Sequence, residues 1–302
     1  MNIECLNYAS GDTWSLFNGD CVEVARQMPT NSVDLALYSP PFANVYCYSD
    51  STRDMGNVSG ELEFVEGYRH LARELYRITR PGRIAAVHCK QTIRYAGSHG
   101  RAGWHDFRGD LIRVHEDEGW QYASEFVLWT DPVVEQRKTN NHRLLYCQLR
   151  KDSTFSGAGM PEYLLIFRKW ADGATEEADV QPVEQTREGF PLDQWQKWAS
   201  PVWMDVRHTE TLNVKAARDS GDERHMCPLS LDVIRRACVL YSNPGDVVFS
   251  PFAGVGSEGV GALGLGRKFA GVELKESYFE QAARNLAEAA RDDQLGMFGA
   301  AK

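Results

Sequence analysis

Short apolar runs alternate with amphipathic and polar stretches along most of this chain of 302 residues. Runs of this kind, bounded by Gly, Pro, Asn and Asp, are typical of buried strands. The pattern therefore predicts seven strands, at residues 14–17, 33–38, 83–89, 125–130, 161–169, 246–249 and 268–272.

Helical periodicity occupies several of the stretches between the runs. It is clearest in 61–78, where apolar residues three or four positions apart form one face: Leu62, Val65, Tyr68, Leu71, Leu75 and Ile78. Further helices are predicted at 21–28, 106–118 and 232–240, from a Gly-rich turn to 265, and at 276–291. Strands and helices that alternate in this way indicate an α/β fold, with a mainly parallel seven-stranded sheet and helices on both faces.

Three stretches do not fit this alternation. Residues 43–60 and 131–160 are polar and predict long loops, which in compact domains are commonly functional. Residues 170–222 read as an insertion that begins acidic and then carries three tryptophans, at 195, 198 and 203. We expect those tryptophans in a core or a subunit contact, because large aromatic side chains usually bury. The chain thus divides into 1–169, the insertion 170–222, and 223–302.

Composition excludes several classes of protein. Hydrophobic residues make up 43% of the chain, as in an ordinary globular protein, and no apolar stretch approaches the ~18 residues of a membrane span. The seven cysteines include no Cys-x-x-Cys pair, so neither a disulfide framework nor a metal site is expected. The N-terminus lacks the basic and apolar pattern of a signal peptide, which predicts a cytoplasmic protein.

Net charge is −9, which taken alone argues against a protein that binds nucleic acid. The positive charges are nevertheless clustered, and a locally basic cleft on an acidic body is compatible with the sequence. The candidates for phosphate contact are Arg137, Lys138, Arg143, Arg150 and Lys151. The alternative is that each of these residues belongs to a solvated rim.

A Gly-rich turn follows the predicted strand 246–249 and opens a helix. Its residues are Ser250, Pro251, Phe252, Ala253, Gly254, Val255 and Gly256. The next strand ends at Glu273, where an acidic side chain can accept hydrogen bonds from ribose hydroxyls. This spacing predicts a nucleoside cofactor. No Lys-Ser/Thr pair follows the turn, which excludes a P-loop, and the bulky Pro251-Phe252 approach disfavours a dinucleotide.

A second junction follows the strand 33–38 and consists of Ser39, Pro40, Pro41 and Phe42. The two prolines fix the backbone and remove two N–H donors, so the carbonyl before Pro41 points outward as an acceptor. That carbonyl and the Ser39 side chain can accept hydrogen bonds from an exocyclic amine, while Phe42 stacks on its base. Such chemistry requires no metal and no general-base histidine, because the amine can lose its proton after methyl transfer. A buried Pro-Pro turn is the alternative.

Together the two junctions resemble motifs of the β-class amino-methyltransferases of DNA, which place the catalytic tetrapeptide first and the S-adenosylmethionine (SAM) loop last. The resemblance implies a Rossmann-like SAM-dependent methyltransferase fold with circularly permuted motif order and an inserted target-recognition segment. It also implies double-stranded DNA as partner and a homodimer. Blocks such as Arg53-Asp54-Met55-Gly56-Asn57 resemble a phage- and prophage-associated branch, for which a stand-alone enzyme without a cognate nuclease is expected.

The resemblance also assigns residues. Ser39 to Phe42 become the catalytic tetrapeptide, and residues 250–256 with Glu273 the cofactor site. Asp20 resembles the acceptor for the cofactor adenine, and His225, Cys227 and Pro228 lie in a segment that closes over the methionine end. Ser250 stands where many relatives carry Asp. DNA contacts are expected from 43–60, which holds Tyr46 and Arg53, from 131–160 and from the insertion.

The base that is modified stays open between two candidates. The tetrapeptide Ser-Pro-Pro-Phe favours the N4 amine of cytosine, whereas the wider resemblance favours the N6 amine of adenine, which is our expectation. Two more distant alternatives are a methyltransferase that acts on RNA or protein and a catalytically silent DNA-binding homologue. The intact Ser39, Gly254, Gly256 and Glu273 argue against the silent homologue.

Overall fold

A computed structural model describes residues 3–41, 61–94, 97, 100–139, 141–170, 182–213 and 228–299 of the chain. Within these ranges the strands are β1 Asn7–Ser10, β2 Trp14–Asn18, β3 Val33–Tyr38, β4 Thr79–Lys90, β5 Thr92–Arg94, β6 Gly103–His105, β7 Gln121–Leu128, β8 Glu162–Arg168, β9 Val202–Trp203, β10 Val247–Ser250 and β11 Lys268–Glu273. The α-helices are α1 Cys21–Gln27, α2 Glu61–Ile78, α3 Phe107–Asp117, α4 Pro132–Thr139, α5 Tyr146–Lys151, α6 Leu192–Trp198, α7 Leu231–Tyr241, α8 Ser257–Leu263 and α9 Glu276–Gly299.

One large sheet organises the described part of the chain, in the order β1-β2-β11-β10-β3-β4-β8-β7-β9. The five central strands, β2, β11, β10, β3 and β4, are parallel to one another. Beyond β4, β8 runs antiparallel to both β4 and β7, while β9 is parallel to β7. The carboxyl ends of the five central strands, the end of β7 and the start of β8 therefore share one edge of the sheet.

The sheet is mainly parallel, as predicted, but its strand count is not the predicted seven. All seven predicted strands are present, and β1 and β9 extend the sheet at its two ends. Both are hard to detect from hydrophobic pattern, since β1 is largely exposed and polar and β9 has two residues. The strand predicted at 83–89 begins earlier, at Thr79, because the chain pairs with β3 through Thr79 and resumes regular pairing at Ile84.

Two apolar layers cover the sheet, one on each face. On β3, Ala36 and Tyr38 pack into one layer with α1, α2 and α3, while Leu35 and Leu37 pack into the other with α7, α8 and α9. This alternation follows from the two-residue period of a strand, which sends successive side chains to opposite faces. The predicted helices on both faces are confirmed. None of the described helices is both long and apolar enough to cross a membrane.

The tryptophans of the insertion have different environments. Trp203 is buried and stacks on Phe126 with ring centroids 4.4 Å apart, as expected of a core residue, whereas Trp195 is 52% exposed. The buried Arg236 fixes this segment to α7. Its guanidinium lies 5.0 Å from the Trp203 ring and pairs with Asp232 at 3.1 Å.

Replacing Arg236 by methionine is expected to lower the free energy of unfolding by about 2 kcal/mol, because a buried carboxylate loses a partner. Arg235→Met is the matched control, since Arg235 pairs with the same Asp232 from a more exposed position. Denaturant unfolding of both variants checks this. Equal losses at the two positions would contradict the structural role of Arg236.

Candidate active site

The two predicted junctions meet at one edge of the sheet. Strands β2, β11, β10 and β3 are consecutive parallel neighbours, and their carboxyl ends carry, in that order, Asp20, Glu273, the Gly-rich turn 250–256 and Ser39. Ligands of open parallel sheets bind at the carboxyl ends of the strands. Residues that lie up to 253 positions apart in sequence, such as Asp20 and Glu273, are therefore brought to one site.

The Glu273 carboxylate is hydrogen-bonded to the backbone of the Gly-rich turn. Its Oε2 accepts a hydrogen bond of 2.8 Å from the Gly254 N–H, and its Oε1 accepts one of 2.9 Å from the Lys275 N–H. Gly254 has φ +54° and Gly256 φ +87°, in the left-handed region that favours glycine. A Cβ built on Gly254 would meet no heavy atom within 4 Å, so the turn faces open space at that point.

The turn after β2 is joined to the same residue. The Asn18 side chain donates to the carbonyl oxygens of Glu273 at 2.8 Å and Leu274 at 3.0 Å, and the Gly19 N–H donates to the Glu273 carbonyl at 3.1 Å. Asp20 caps α1, with Oδ1 accepting from two backbone N–H groups of its first turn. Asp20 and Glu273 thus lie at neighbouring strand ends that are joined to each other and to the Gly-rich turn by hydrogen bonds.

Three polar side chains of the segment 250–258 are buried. The hydroxyls of Ser250 and Ser257 have no hydrogen-bond partner among the described residues. Burial, with a smaller contribution from the negative charge of Glu273, raises the pKa of Glu258 from its ordinary 4.5 to about 8. Buried hydroxyls normally find partners, and these two together with the open cradle at Gly254 fit a polar ligand such as a nucleoside cofactor.

The Gly-rich turn lies next to strand β3, which leads into the tetrapeptide. Strands β10 and β3 pair through Val248 with Leu35 and Phe249 with Ala36. The Phe252 ring lies 6.0 Å from the ring of Tyr38, the residue immediately before Ser39. The turn and the tetrapeptide therefore form adjacent walls of one site.

The Ser39 hydroxyl is held by His88. Ser39 Oγ lies 3.1 Å from His88 Nδ1 and donates to the His88 carbonyl at 3.2 Å. A hydroxyl carries one proton and two lone pairs, so a proton directed at His88 leaves Oγ as an acceptor for a substrate N–H. Pro40 is buried and Pro41 half-buried, while Phe42 lies outside the described residues.

His88 in turn contacts a carboxylate that the sequence did not single out. His88 Nε2 is 3.0 Å from Glu162 Oε2. Although burial raises the pKa of Glu162, the hydrogen bond and charge of His88, with Lys90 and His208 nearby, lower it to about 2. His208 Nδ1 approaches the same carboxylate at 3.8 Å. The only signal in the sequence was a polar residue, His88, near the end of an apolar run.

The predicted DNA-contacting residues have mixed placements. Arg137 is exposed on α4, and Arg150 and Lys151 are exposed in the last turn of α5. The Arg143 side chain is folded back: its Nε donates to the Phe155 carbonyl at 3.1 Å and its guanidinium lies over the Phe155 ring. The side chain of Lys138 is not among those described. Tyr46, Arg53, His225 and Cys227 also lie outside the described residues, and Pro228 is half-buried just before α7.

The segment with these basic residues leaves the sheet beside the tetrapeptide. It connects the end of β7 to the start of β8, both at the edge that carries Ser39. An ion pair with the buried Glu135 anchors it, since Lys90 at the end of β4 contacts both oxygens of Glu135 on α4, at 3.0 and 3.2 Å. Exposed positive charge is thus carried on the side of the molecule where Ser39 lies. No cluster of His, Cys, Asp and Glu in the described ranges is arranged to hold a metal ion.

Comparisons with known proteins agree with this geometry. A family model described as DNA methylase, covering N6/N4 methyltransferases, matches residues 33–284. The DNA adenine methyltransferase YhdJ of Escherichia coli is 37% identical over 288 residues, covering 90% of this chain and 82% of YhdJ. The type II methyltransferase M.BamHI of Bacillus amyloliquefaciens is 26% identical over 88% of this chain, which spans 56% of that relative's length.

The fold is also found in a solved structure. A DNA modification methylase from Thermus thermophilus, TTHA0409, complexed with S-adenosyl-L-methionine, superposes with a TM-score of 0.65. It is 21% identical, and the match covers 91% of this chain and 95% of that one. At this level of identity the match shows the shared architecture.

Proposed function

Because the chain belongs to the N6/N4 family of DNA methylases, we propose that it is a site-specific enzyme that methylates the exocyclic N6 amine of adenine in double-stranded DNA. The observation that carries this proposal is the placement of Ser39. Its Oγ is held as an acceptor next to a Gly-rich turn suited to a nucleoside cofactor. An acceptor of this kind suits an amine, which offers N–H donors.

S-adenosylmethionine is the methyl donor of the family, and it supplies a methyl group activated by a sulfonium sulfur. Glu273 and Asp20 are the proposed acceptors for its ribose and adenine groups. The turn 250–256 cradles it, with Gly254 facing the open side. The buried hydroxyls of Ser250 and Ser257 offer further polar contacts, and Ser250 stands where many relatives carry Asp. His225, Cys227 and Pro228 are proposed to close over the methionine end.

The tetrapeptide holds the target amine. Ser39 Oγ and the carbonyl of Pro40, which precedes the second proline, accept its two N–H bonds. This draws the nitrogen lone pair away from the ring and towards the methyl donor. Phe42 is proposed to stack on a base that has been rotated out of the duplex, as enzymes that modify bases require. The chain therefore binds, orients and activates the nucleophile.

Support for adenine comes from the relative with 37% identity, whose printed name is DNA adenine methyltransferase. The second candidate is the N4 amine of cytosine, which the tetrapeptide Ser-Pro-Pro-Phe favours. Both bases present an amine beside a ring nitrogen, so the hydrogen bonds of Ser39 serve either one. Discrimination then depends on the shape of the pocket around the ring.

DNA contact is proposed along the edge of the sheet that carries Ser39. Exposed Arg137, Arg150 and Lys151 are placed to meet phosphates, which position a duplex without reading its sequence. Lys138, Tyr46 and Arg53 are proposed to join them. Arg143 is a poorer candidate than at first expected, because its guanidinium packs on Phe155. We propose residues 170–222 for target recognition, a homodimer as the assembly and the cytoplasm as the location.

Long-read modification mapping tests the activity, the base and the recognition site together. Plasmid DNA from cells that express the protein is compared with DNA from cells that express Ser39→Ala. A sequence motif carrying N6-methyladenine only with the intact protein is the expected result. N4-methylcytosine alone would overturn the adenine assignment. An identical pattern in both would favour RNA, protein or a silent DNA-binding homologue, and calorimetry with SAM would separate an active enzyme from a silent one.

Gly254→Ala is expected to weaken SAM binding by about tenfold, equivalent to roughly 1.4 kcal/mol, because the added methyl group enters the cradle. Gly266→Ala is the matched control. Gly266 also has positive φ and open space around it, but it lies in the turn before β11, at the opposite edge of the sheet. Calorimetric titration of both variants with SAM measures the difference. Equal affinities would remove Gly254 from the cofactor site.

A further inference from the structure

Ser39, His88 and Glu162 form a continuous hydrogen-bonded chain that begins at the site and ends at a largely buried carboxylate. The links are 3.1 Å from Ser39 Oγ to His88 Nδ1 and 3.0 Å from His88 Nε2 to Glu162 Oε2. The three residues come from different strand ends, of β3, β4 and β8, which meet because Glu162 is paired opposite Lys90. The pairing of β3 with β4 and of β4 with β8 therefore fixes the relative positions of the three residues.

The hydrogen bonds that link Ser39, His88 and Glu162 have a defined direction from donor to acceptor. Glu162 is ionised at neutral pH, so it accepts a hydrogen bond and His88 Nε2 must donate. In a neutral imidazole with its proton on Nε2, Nδ1 is an acceptor, and the tautomer is set by the partner of the other nitrogen. The Ser39 hydroxyl then directs its proton at His88, either at Nδ1 or at the backbone carbonyl. The hydrogen bonds are thus donated in one direction, from Ser39 to His88 and from His88 to Glu162.

We propose that His88 and Glu162 are positioning residues that fix Ser39 as an acceptor and take up the proton that the methylated amine must lose. This inference rests on the proposed methyl transfer to a DNA base. It adds a destination for the proton, which the tetrapeptide by itself does not provide.

The step balances in atoms and electrons. As the amine nitrogen forms its bond to the methyl carbon, the carbon–sulfur pair stays on sulfur and the nitrogen becomes positively charged. One N–H proton then passes to Ser39 Oγ while the Ser39 hydroxyl proton passes to His88 Nδ1. The nitrogen returns to neutrality, Ser39 is regenerated, and the His88 imidazolium is stabilised by the Glu162 carboxylate until it releases the proton to water.

Two other basic side chains near His88, Lys90 and His208, have hydrogen-bond or ion-pair partners of their own. Lys90 contacts both oxygens of the buried Glu135, and its charge also helps to lower the pKa of Glu162. His208 Nε2 lies 2.9 Å from the Trp129 carbonyl, and its Nδ1 is 3.8 Å from Glu162. His208 therefore shares the carboxylate but has no contact with Ser39, which makes it the natural control.

The test compares His88→Asn, Glu162→Gln and the control His208→Gln by single-turnover methylation from pH 6 to 8.5. The wild-type rate is expected to fall at the acid end of this range, here called the acid limb, because the reaction depends on a proton acceptor. His88→Asn should lose about 10²-fold at high pH, within the usual range for proton-transfer groups, and should lose the acid limb. Glu162→Gln should lose less, and His208→Gln should keep the acid limb. In Ser39→Ala, adding His88→Asn should cost nothing further.

Two readouts do not depend on turnover. SAM affinity should be unchanged in His88→Asn, and imidazole ¹⁵N shifts of His88 should show the proton on Nε2 in the wild type. An unchanged acid limb in His88→Asn, additive losses with Ser39→Ala, or a proton on Nδ1 would each overturn the inference. A wild-type protein that binds SAM but transfers no methyl group to DNA would instead overturn the proposed function, and the relay with it.

Discussion

Ser39→Ala is expected to lower the rate of methyl transfer by roughly 10²-fold, equivalent to about 3 kcal/mol, while SAM affinity stays within about twofold. The hydroxyl is the only side-chain acceptor that the tetrapeptide offers to the target amine. Without it, the amine lone pair stays conjugated with the ring and His88 has no hydroxyl to bind. The backbone of 39–41 is fixed by two prolines, so the loss should be confined to the chemical step.

Single-turnover methylation of duplex DNA, with calorimetry for SAM, measures both quantities. Ser32→Ala is the matched control, because Ser32 precedes the same strand at its opposite end and its hydroxyl donates to the Pro29 carbonyl. The control should retain the wild-type rate. A Ser39→Ala protein with an unchanged rate would exclude Ser39 as the amine acceptor, and one that lost SAM binding would place it in the cofactor site instead.

Glu258→Gln is expected to make the folded protein less sensitive to alkaline pH. The pKa of Glu258 is raised to about 8 in the folded state, from its ordinary 4.5, chiefly by burial and also by Glu273. Between these values the folded chain keeps a proton that the unfolded chain has lost, so its stability falls as pH rises. The full difference corresponds to at most roughly 5 kcal/mol above pH 8.

The measurement is the free energy of unfolding by denaturant at pH 5 and pH 8.5, without cofactor. Glu258→Gln should resemble the wild type at pH 5 and exceed its stability at pH 8.5, since glutamine has no proton to lose. Glu280→Gln removes the same charge from an exposed site on α9 and should leave the pH dependence intact. Parallel pH profiles for wild type and Glu258→Gln would show that this carboxyl ionises freely in the fold.

Much of the architecture is determined by local patterns in the sequence. The apolar runs form the predicted strands, since a strand buried on both faces must be continuously apolar. Helix boundaries also follow from single residues. Asp106 caps α3, as the prediction of a helix from 106 implied, and Gly119, with φ +95°, follows its end. The two strand-to-loop junctions were identified for the same reason, because Pro-Pro and Gly-rich turns restrict the backbone locally.

The sequence by itself thus determined the predicted strands and helices, the Gly-rich turn and the tetrapeptide, because each depends on neighbours in the chain. Only the tertiary structure joined His88 to Glu162, since that contact requires β8 to run antiparallel to β4 and bring its first residue to the edge where β4 ends. It likewise buried Glu258, turned Arg143 onto Phe155 and used Glu273 to brace the Gly-rich turn. Strand direction and side-chain burial depend on contacts between distant segments, and no local pattern encodes them.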